Sequence, residues 1–548
     1  MTDHQFPEFS SAYKNRWRSA GLWDDLTLHE GFDKTVIENP NKVALITKEK
    51  PYTFAEFKRQ SDALAAGLIG AGVKTGDIVA VQLPNCVDFC FLQIALSRIG
   101  AVIQPLHMVF RERELENLYQ FCETDVAIVA GEYRGTDYAD MTRKLLGDLP
   151  RLDRLIIVNG EPQAGEMSLK AIIEEGRDQL QRLSDLPSNP DAVFYLNFTS
   201  GTEGRPKGFL HTHNSLISLI GKVARSQIEQ DPERITLGCS PMTHSFGHFS
   251  TYYCVLGAIP MVLVDRYNPT LILEMIDRER VTAIDGTPAH MIGLLNHENF
   301  SDYDTSCVTS AIVGGARSAP ELIKKLESVW GVKTGNTYGM GETIIHTRTV
   351  PDDPADKIRD TVGRPIPGAE VKIVSPSERS RELPTGEVGE ICFRGPTLFV
   401  GYHNQPDLTA STRDDDGWFY TGDLGFLDTE GYLSFAGRAK EVINRGGSKI
   451  YPKEIEDVLV SYSGIKDAAV VGMPDDRMGE VVCAYVVPIE PDRPISLEEI
   501  KSFFEHEKVM KYMMPEQVVN MAELPMTPTG KVRKAALQED AKQRAEQV

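Results

Sequence analysis

One stretch of this chain combines residue types that suit the binding of a phosphate group. An apolar run from Ala192 to Phe198 leads into a loop with three hydroxyl side chains, three glycines and a lysine. Glycine lets a loop turn its backbone N–H groups inward, and hydroxyl groups and a lysine add further donors. The residues are Thr199, Ser200, Gly201, Thr202, Gly204, Lys207 and Gly208. The spacing is not that of the Walker loop, so we predict a phosphate cradle of another kind; an ordinary turn with a solvated lysine is the alternative.

Two further loops place an aromatic or acidic side chain beside glycines. Residues 336–342 read Asn-Thr-Tyr-Gly-Met-Gly-Glu, and residues 417–423 read Gly-Trp-Phe-Tyr-Thr-Gly-Asp. The ring of Tyr338 can stack on a base, and the carboxylate of Glu342 is a hard oxygen ligand of the kind that Mg²⁺ takes. The carboxylate of Asp423 can accept hydrogen bonds from hydroxyl groups. These loops indicate a nucleotide–magnesium site, against the plainer interpretation of polar turns with a capping acid.

These segments resemble the motifs of the superfamily of acyl-CoA synthetases, peptide-synthetase adenylation domains and luciferases. The resemblance covers nearly the whole chain, keeps the family order, and includes residues 314–316, 437–452 and 528–534. Members of that superfamily activate a carboxylate with ATP as an acyl-adenylate. The resemblance therefore implies ATP, Mg²⁺ and a small carboxylic acid, with coenzyme A as the acceptor in the acyl-CoA synthetases.

The resemblance also implies a role for each matching residue. Lys207, Glu342 and Lys531 are the implied catalytic residues, with Glu342 holding Mg²⁺ and Lys531 serving the α-phosphate, where a flexible cation is suited to bridge two anions. The neighbours Arg533 and Lys534 are expected to be solvated. The implied ATP- and coenzyme A-binding set is Thr199, Ser200, Gly201, Thr202, Gly204, Gly314, Gly315, Ala316, Asn336, Tyr338, Gly339, Asp423, Arg438, Gly446 and Gly447.

Two positions depart from the family pattern. Gly341 stands where the family usually has a hydroxyl residue that reaches the phosphate, so one phosphate contact is in question. Glu203 stands where threonine is more common, and it adds negative charge near the phosphates unless it points away.

The segment 241–247, Pro-Met-Thr-His-Ser-Phe-Gly, bears on which acid is activated. It carries no aspartate, the residue that amino-acid-activating relatives use for the substrate ammonium. His244 resembles the acyl-CoA ligase pattern, in which it lines the acyl tunnel, although a structural histidine is the alternative. The implied substrate-binding residues are His244, Phe246, Phe249 and Gly339, and we expect a medium-chain fatty or cyclic carboxylate. A stand-alone enzyme that loads a carrier protein and a catalytically inactive binding module are the competing hypotheses.

Composition excludes several other classes of protein. The chain has 548 residues and a net charge of −21, which argues against a general nucleic-acid surface. Its eight cysteines are scattered without metal-ligand spacing, which indicates thiols in a reducing compartment. The longest apolar stretch, Thr251 to Val264, is too short for a bilayer, and the N-terminus lacks a signal pattern. We expect a cytoplasmic protein with no transmembrane segment.

The elements that must position these residues alternate between strands and helices. This alternation predicts an α/β fold with doubly wound sheets, and the helix after the phosphate loop is expected to begin at Ser215 with Asn214 as its cap. From Thr361, short strands between glycines and prolines predict a small β-rich subdomain. We predict an N-terminal domain over 1–437, with two doubly wound αβ subdomains and the β-rich one, and a small mobile α+β domain over 438–548. The resemblance places the hinge near 438–441.

Overall fold

The computed structural model describes residues 4–199, 206–315, 318, 320–332, 334–350, 352–526 and 532–546, and for Thr199 it describes the backbone alone. The described chain divides into two compact units, presented separately below. The first comprises Met1–Pro354, Ile366–Glu370 and Arg394–Phe419, and the second comprises Ala355–Pro365, Val371–Phe393 and Tyr420–Val548. The functional boundary predicted at 437/438 remains a prediction.

The strands, in chain order, are β1 (Val43–Ile46), β2 (Pro51–Thr53), β3 (Ile78–Gln82), β4 (Val102–Pro105), β5 (Val126–Ala130), β6 (Glu132–Tyr133), β7 (Thr136–Asp137), β8 (Arg154–Val158), β9 (Met167–Ser168), β10 (Val193–Thr199), β11 (Lys207–Thr212), β12 (Thr236–Gly238), β13 (Met261–Val262), β14 (Ala283–Gly286), β15 (Ser310–Val313), β16 (Gly335–Tyr338), β17 (Thr347–Arg348), β18 (Arg364–Pro365), β19 (Glu370–Ser375), β20 (Glu378–Glu382), β21 (Gly389–Arg394), β22 (Gly401–Tyr402), β23 (Phe419–Leu427), β24 (Leu433–Arg438), β25 (Ile443–Arg445), β26 (Ser448–Ile450), β27 (Ile465–Asp475), β28 (Gly479–Pro488) and β29 (Gln517–Asn520).

The α-helices are α1 (Ser11–Ser19), α2 (Leu28–Glu38), α3 (Phe54–Gly70), α4 (Val87–Ile99), α5 (Glu112–Cys122), α6 (Tyr138–Leu145), α7 (Leu169–Gly176), α8 (His213–Gln230), α9 (Ser245–His248), α10 (Ser250–Gly257), α11 (Pro269–Glu279), α12 (Pro288–Leu295), α13 (Pro320–Trp330), α14 (Ala355–Asp360), α15 (Pro406–Thr412), α16 (Pro452–Ser461), α17 (Leu497–His506) and α18 (Lys534–Ala545). Short 3-10 helices span Leu146–Asp148, Leu180–Leu183, Phe300–Asp302, Ala439–Glu441 and Lys511–Met513.

Two large sheets form the first unit. One has eight strands in the order β22-β11-β10-β4-β3-β5-β8-β9, with parallel pairing from β10 to β9. Its central strands β3 and β5 are buried along their whole length and apolar, which is the pattern of parallel strands covered on both faces. The second sheet runs β17-β16-β15-β14-β12-β13-β1-β2 within this unit, and its core contains Leu237, Ile284 and Val313. The predicted α/β fold is confirmed.

The second unit is built from two smaller sheets. A five-stranded sheet, β20-β19-β21-β23-β24, whose two outer strand pairs are antiparallel, is the predicted β-rich subdomain. The C-terminal sheet runs β26-β25-β28-β27, with β29 parallel to β28, and its apolar residues pack with those of α16 and α17. Leu537 and Ala541 of α18 pack against the other core cluster of this sheet. The small α+β C-terminal domain is therefore confirmed as a fold.

Three further sequence expectations have a structural outcome. Helix α8 begins at His213, and its cap is Thr212, whose hydroxyl accepts a hydrogen bond from the Ser215 backbone N–H. Asn214 instead donates hydrogen bonds to Asp25 and Asp191, so the predicted cap was wrong. All eight cysteines are free thiols. Within the described ranges, no helix has the length and apolar character needed to cross a bilayer.

Candidate active site

The predicted phosphate loop joins two antiparallel strands. Strand β10 leads into it and β11 leads out, and the last pair of the ladder is Thr199 opposite Lys207. Lys207 is partly buried at the start of β11. The loop residues Ser200, Gly201, Thr202 and Gly204 lie outside the described residues, as do Ala316 and Lys531.

Glu342 is held in place by β22, the strand next to β11, and by the segment that precedes β22. It is only 5% exposed, and the Tyr402 hydroxyl donates a hydrogen bond of 2.9 Å to its Oε1. The backbone N–H of Phe399 donates to the carbonyl oxygen of Glu342 at 2.7 Å. Burial and the negative charge of Glu342 raise the pKa of Tyr402 far above its ordinary value, so the phenol remains a donor at neutral pH. The carboxylate is thus pre-positioned at the end of the loop after β16.

The donor set fits Mg²⁺ through one protein carboxylate. Mg²⁺ is usually held by one or two carboxylates, with phosphate oxygens and water completing the octahedron. Among the described residues, no three His, Cys, Asp or Glu side chains form a cluster that could hold a metal ion. Glu342 would therefore supply the protein ligand, and a nucleotide and water would supply the others.

Gly341 is a glycine because Phe209 occupies the space beside it. A Cβ built on Gly341 would lie 2.5 Å from Cζ of Phe209, a distance at which atoms overlap. Phe209 is fully buried on β11, directly opposite Tyr402 of β22. Gly341 is absent from the glycines with positive φ, so lack of space, and not an unusual backbone angle, excludes a side chain there.

His211, on β11, holds the loop that contains Gly341 through a hydrogen bond. The sequence analysis did not identify this residue. Its Nε2–H donates a hydrogen bond of 2.7 Å to the Gly341 carbonyl oxygen, and its Nδ1 lies 3.0 Å from Oγ of Ser215. Burial lowers the pKa of His211 to about 4. The imidazole is therefore neutral at physiological pH, and its role is structural: it fixes the position of the Gly341 backbone.

The segments around Tyr338, which is predicted to stack on the base, and around Gly314 and Gly315 contain tightly packed glycines. Tyr338 at the end of β16 is partly buried, with its ring centroid 4.9 Å from that of His346. A Cβ on Gly339 would overlap the carbonyl oxygen of Ile344, and a Cβ on Gly314 would lie 2.7 Å from Oγ1 of Thr337. Gly315 has a φ of +80°, a left-handed conformation that favours glycine. Asn336 is buried on the same strand as Tyr338.

Four residues of the implied ATP- and coenzyme A-binding set, Asp423, Arg438, Gly446 and Gly447, lie in the second unit. Asp423 on β23 is opposite Arg438 on β24, and Arg438 Nε lies 3.6 Å from Asp423 Oδ1. Gly446 and Gly447 form the turn of the β25–β26 hairpin, with φ of +55° and +88°. A Cβ on Gly447 would meet no atom within 4 Å. A bound molecule could therefore approach the backbone closely at this position.

Lys534 is not the solvated residue expected from the sequence. Its ammonium lies 2.7 Å from Glu456 and 3.2 Å from Glu441, and its side chain is 18% exposed. Burial alone would lower its pKa, but the two carboxylates outweigh that effect and raise it. The spacing of charges along the chain could not reveal this pair of contacts, because both partners are far away in sequence.

The residues predicted to line an acyl site follow β12. His244 caps the short helix α9, and its ring stacks at 6.1 Å on that of His107. Nδ1 of His107 lies 3.0 Å from Oγ1 of Thr243, and burial lowers the pKa of His107 to about 4. Phe246 is partly exposed, and its Cζ would lie 3.4 Å from a Cβ on Gly314.

Phe249 is more deeply buried than the other two predicted acyl-site side chains of this segment, His244 and Phe246. It is 6% exposed, and its ring packs against Tyr195 and Tyr252. The Tyr195 hydroxyl lies 3.1 Å from Oγ of Ser245 and accepts a hydrogen bond of 2.5 Å from the Asn197 amide. Phe249 therefore lies in the packed interior against Tyr195, a residue for which the sequence carried no signal.

Comparisons with known proteins agree with this arrangement. The AMP-binding enzyme model matches residues 32–403, and the model of the C-terminal domain of AMP-binding enzymes matches residues 454–531. The chain is 32% identical to a medium-chain fatty-acid–CoA ligase of Escherichia coli, over 98% of this chain and 94% of that one. It is 30% identical to a pyochelin synthase of Pseudomonas aeruginosa, covering 97% and 96%. ATP-bound MatB from Rhodopseudomonas palustris superposes with a TM-score of 0.84 at 26% identity, covering 95% and 100%. The chain therefore belongs to the family of AMP-binding enzymes, among its acyl-CoA ligases.

Proposed function

We propose that the protein joins a carboxylic acid to coenzyme A in two steps. The carboxylate first attacks the α-phosphorus of ATP, which releases pyrophosphate and leaves an acyl-adenylate. The thiol of coenzyme A then attacks the acyl carbon, and AMP leaves. The observation that carries the proposal is the buried Glu342 carboxylate, held by Tyr402 beside the strands of the phosphate loop.

The first step needs cations and oriented donors around the phosphates, because negative charge moves onto phosphoryl oxygens as the bond forms. Lys207 stands where β11 leaves the loop, and we assign its ammonium group to the phosphates. Bound Mg²⁺ would neutralise charge on the phosphate oxygens. Glu342 supplies the carboxylate for that ion, and we assign the α-phosphate to Lys531.

The second step needs a path for a long, flexible thiol. The hairpin turn at Gly446 and Gly447 is exposed and lacks side chains. A pantetheine arm can therefore approach the backbone there, and both glycines hold positive φ values that favour glycine. We assign to Asp423 the role of accepting hydrogen bonds from the ribose hydroxyls of the nucleotide. Arg438 is assigned to a contact on the ribose side of the nucleotide.

The acid is proposed to be a medium-chain fatty or cyclic carboxylate. Residues 241–247 carry no acidic side chain that could pair with a substrate ammonium. Phe246 contributes an apolar ring next to the glycine turn at 314, and His244 stands at the cap of the adjoining helix. The medium-chain ligase among the relatives supports this substrate class.

A panel of carboxylic acids tests the proposal. Full-length enzyme is supplied with Mg²⁺, ATP and coenzyme A, and AMP and the thioester are both measured for each acid. We expect AMP and thioester in equal amounts with at least one medium-chain or cyclic acid. If no acid on a broad panel gives AMP, the protein is a binding module and the proposal fails.

Lys531→Ala separates the two steps. We expect acyl-adenylate formation to fall by about a hundredfold or more, the size of effect seen when an electrostatic contact to the reacting group is removed. Thioester formation from supplied acyl-adenylate and coenzyme A should stay near wild type. Lys542→Ala, on the exposed side of α18, is the control and should change neither step. An equal loss in both steps would contradict the role of Lys531.

Loading of a carrier protein is the second candidate function. The similarity to a pyochelin synthase favours it. Pyrophosphate exchange that depends on the acid, without thioester formation when coenzyme A is added, would support it, provided that a carrier protein then accepts the acyl group. Rapid thioester formation with free coenzyme A would exclude the need for a carrier.

A further inference from the structure

One face of the second sheet of the first unit is left partly open. Strand partners place Gly238, Asp285, Ile312 and Gly335 side by side across β12, β14, β15 and β16. Thr337, two residues after Gly335, shares this face and lies opposite Arg348 of β17. All six residues are partly exposed, whereas the alternating positions Leu237, Ile284 and Ala311 are at most 1% exposed.

The two helices that follow β12 lie over this open face. Oγ of Ser250 on α10 would lie 2.8 Å from a Cβ on Gly238, and Phe246 on α9 approaches Gly314. Because the strand residues beneath these helices stay partly exposed, the helices leave a groove between themselves and the sheet. Phe246 and the 314–315 turn mark one end of it, at the carboxyl end of β15.

The floor of this groove is polar, although an acyl chain alone would need only apolar walls. Asp285 pairs with Ile312 on β15, which is two residues before Gly314. Measured along the strand direction, Asp285 therefore lies about 7 Å before Gly314, because each strand residue rises about 3.3 Å. Its Oδ1 is buried and has no hydrogen-bond partner in the described part of the chain. Arg348 shares the face, and no hydrogen bond or ion pair joins its guanidinium to another of the described residues.

The pKa shifts of Asp285 and Tyr253 show that the charged and polar side chains on this face interact electrostatically. Burial raises the pKa of Asp285 to about 6, against the opposing effects of Arg234 and the Thr236 hydroxyl. The pKa of Tyr253, on α10, rises to about 12 through burial and the charge of Asp285, while Arg348 and Arg234 act in the opposite direction. Tyr253 is therefore coupled to Asp285 and to both arginines, and Asp285 is coupled to Arg234, which places the phenol and the carboxylate in one region of the groove floor.

We propose that the region of the groove floor around Asp285 binds a hydroxyl group on the acyl chain, so that the preferred substrate is a hydroxy acid whose hydroxyl is remote from the carboxylate. A hydroxyl can donate to Asp285 and accept from Tyr253 at the same time. A plain hydrocarbon leaves the buried Oδ1 of Asp285 without a donor, which is costly, and a second carboxylate on the substrate is repelled by Asp285. This inference rests on the proposed acid–CoA ligase function and refines its substrate class.

Matched acids test this proposal. The full-length enzyme, with Mg²⁺, ATP and coenzyme A at saturation, is given unsubstituted acids, terminal hydroxy acids and dicarboxylic acids over a range of equal chain lengths. At the best chain length, we expect kcat/KM for the hydroxy acid to exceed that for the plain acid by about tenfold or more, as for a hydrogen bond to a charged group.

Variants of Asp285 and Tyr253 distinguish a loss of hydroxyl binding from a general loss of folding or activity. Asp285→Leu should abolish the preference and retain or improve the use of plain acids. Asp285→Asn, which keeps the shape and one acceptor, should retain part of the preference, and Tyr253→Phe should reduce it without loss of folding.

Four results would overturn the inference. Equal kcat/KM for hydroxy and plain acids, or an unchanged preference in Asp285→Leu, would remove the hydroxyl subsite but leave the ligase function intact. A preference for dicarboxylic acids would mean that the arginines bind an anion instead. A complete lack of AMP formation with every acid would overturn the ligase function and this inference together.

Discussion

At the scale of single residues, the contact between Phe209 and Gly341 explains a departure from the family pattern. The benzene ring fills the position that a side chain at 341 would need. Glycine at 341 and a large ring at 209 are therefore one size-matched pair. The hydroxyl that the family usually places before the glutamate is missing because there is no room for it.

Gly341→Thr is predicted to destabilise the first unit by about 1–3 kcal/mol, the usual cost of overfilling a packed site. It should also raise KM for MgATP, because Glu342 is the next residue. The double variant Gly341→Thr with Phe209→Val should recover much of both losses. Urea unfolding and steady-state kinetics on the two single variants and the double variant give the coupling energy, expected at about 1–2 kcal/mol. Strictly additive effects would show that the two residues do not compete for the same space.

The hydrogen bond from Tyr402 to Glu342 should control the use of MgATP. Tyr402→Phe leaves the buried carboxylate without its phenol donor, a loss of about 1.5–3 kcal/mol for a bond to a charged group. We expect KM for MgATP to rise about tenfold. Tyr138→Phe is the matched control, because the Tyr138 hydroxyl is also buried but donates to the neutral carbonyl of Met108. An unchanged KM in Tyr402→Phe would place Glu342 outside the magnesium site.

Residue types and spacing identified Glu342, Asp423 and Tyr338 as candidates because each stands in a short motif of distinctive composition. The same reasoning missed Phe209, His211 and Tyr402. These residues act through contacts with loop 341–342, which lies well over a hundred residues away from two of them along the chain. Such contacts follow from tertiary packing, and a local pattern does not contain them.

At the scale of elements, helix α18 is anchored at its first residue by an unusual charge arrangement. A lysine at a helix N-terminus is unfavourable next to the positive end of the helix dipole. Here Lys534 is compensated by Glu441, in the 3-10 turn after β24, and by Glu456 on α16. One ammonium group therefore connects three elements of the C-terminal domain.

Lys534→Met is predicted to lower the stability of the second unit by about 2 kcal/mol, because it removes the nearest cation from two partly buried carboxylates. Lys542→Met, at an exposed position of the same helix, should be nearly neutral. The folded-state pKa of Lys534 is raised, so its contribution is complete at neutral pH and disappears as the pH rises through that value, above the ordinary 10.5. Urea midpoints of the variant and wild type should therefore converge only in strongly alkaline solution, and a difference that is equally large there would contradict the ion-pair explanation.

The elements themselves were largely predictable, whereas their ends were less so. Buried apolar runs such as 78–82 and 126–130 admit few interpretations other than central parallel strands. The start of α8 was misassigned, because Asn214 is as good a cap as Thr212 by residue type alone. Only the tertiary contacts of Asn214 with Asp25 and Asp191 decide between them.

At the scale of the whole molecule, the two proposed half-reactions make different demands on the second unit. Lys531 is assigned to the α-phosphate in the first step, and the hairpin at Gly446 and Gly447 is assigned to the thiol in the second. A single small domain cannot present both to one reaction centre at once if they lie on different faces. Rotation of this domain about a few residues would resolve the conflict, since hinges absorb large dihedral changes at a small number of positions.

The segment 438–441 has the local features of such a hinge. Strand β24 ends at Arg438, the 3-10 turn Ala439–Glu441 follows, and Lys440 is exposed. Proline at 440 would fix its φ near about −65° and disfavour the helical conformation of Ala439 that this turn uses. We therefore predict that Lys440→Pro keeps acyl-adenylate formation and reduces thioester formation by about tenfold or more. Single-turnover rates of each half-reaction measure this, and Lys440→Ala, which removes the side chain but leaves the backbone free, should keep both rates. Unimpaired thioester formation in Lys440→Pro would mean that rotation does not occur at this residue, and the change of pose would then have to occur elsewhere in the chain or not at all.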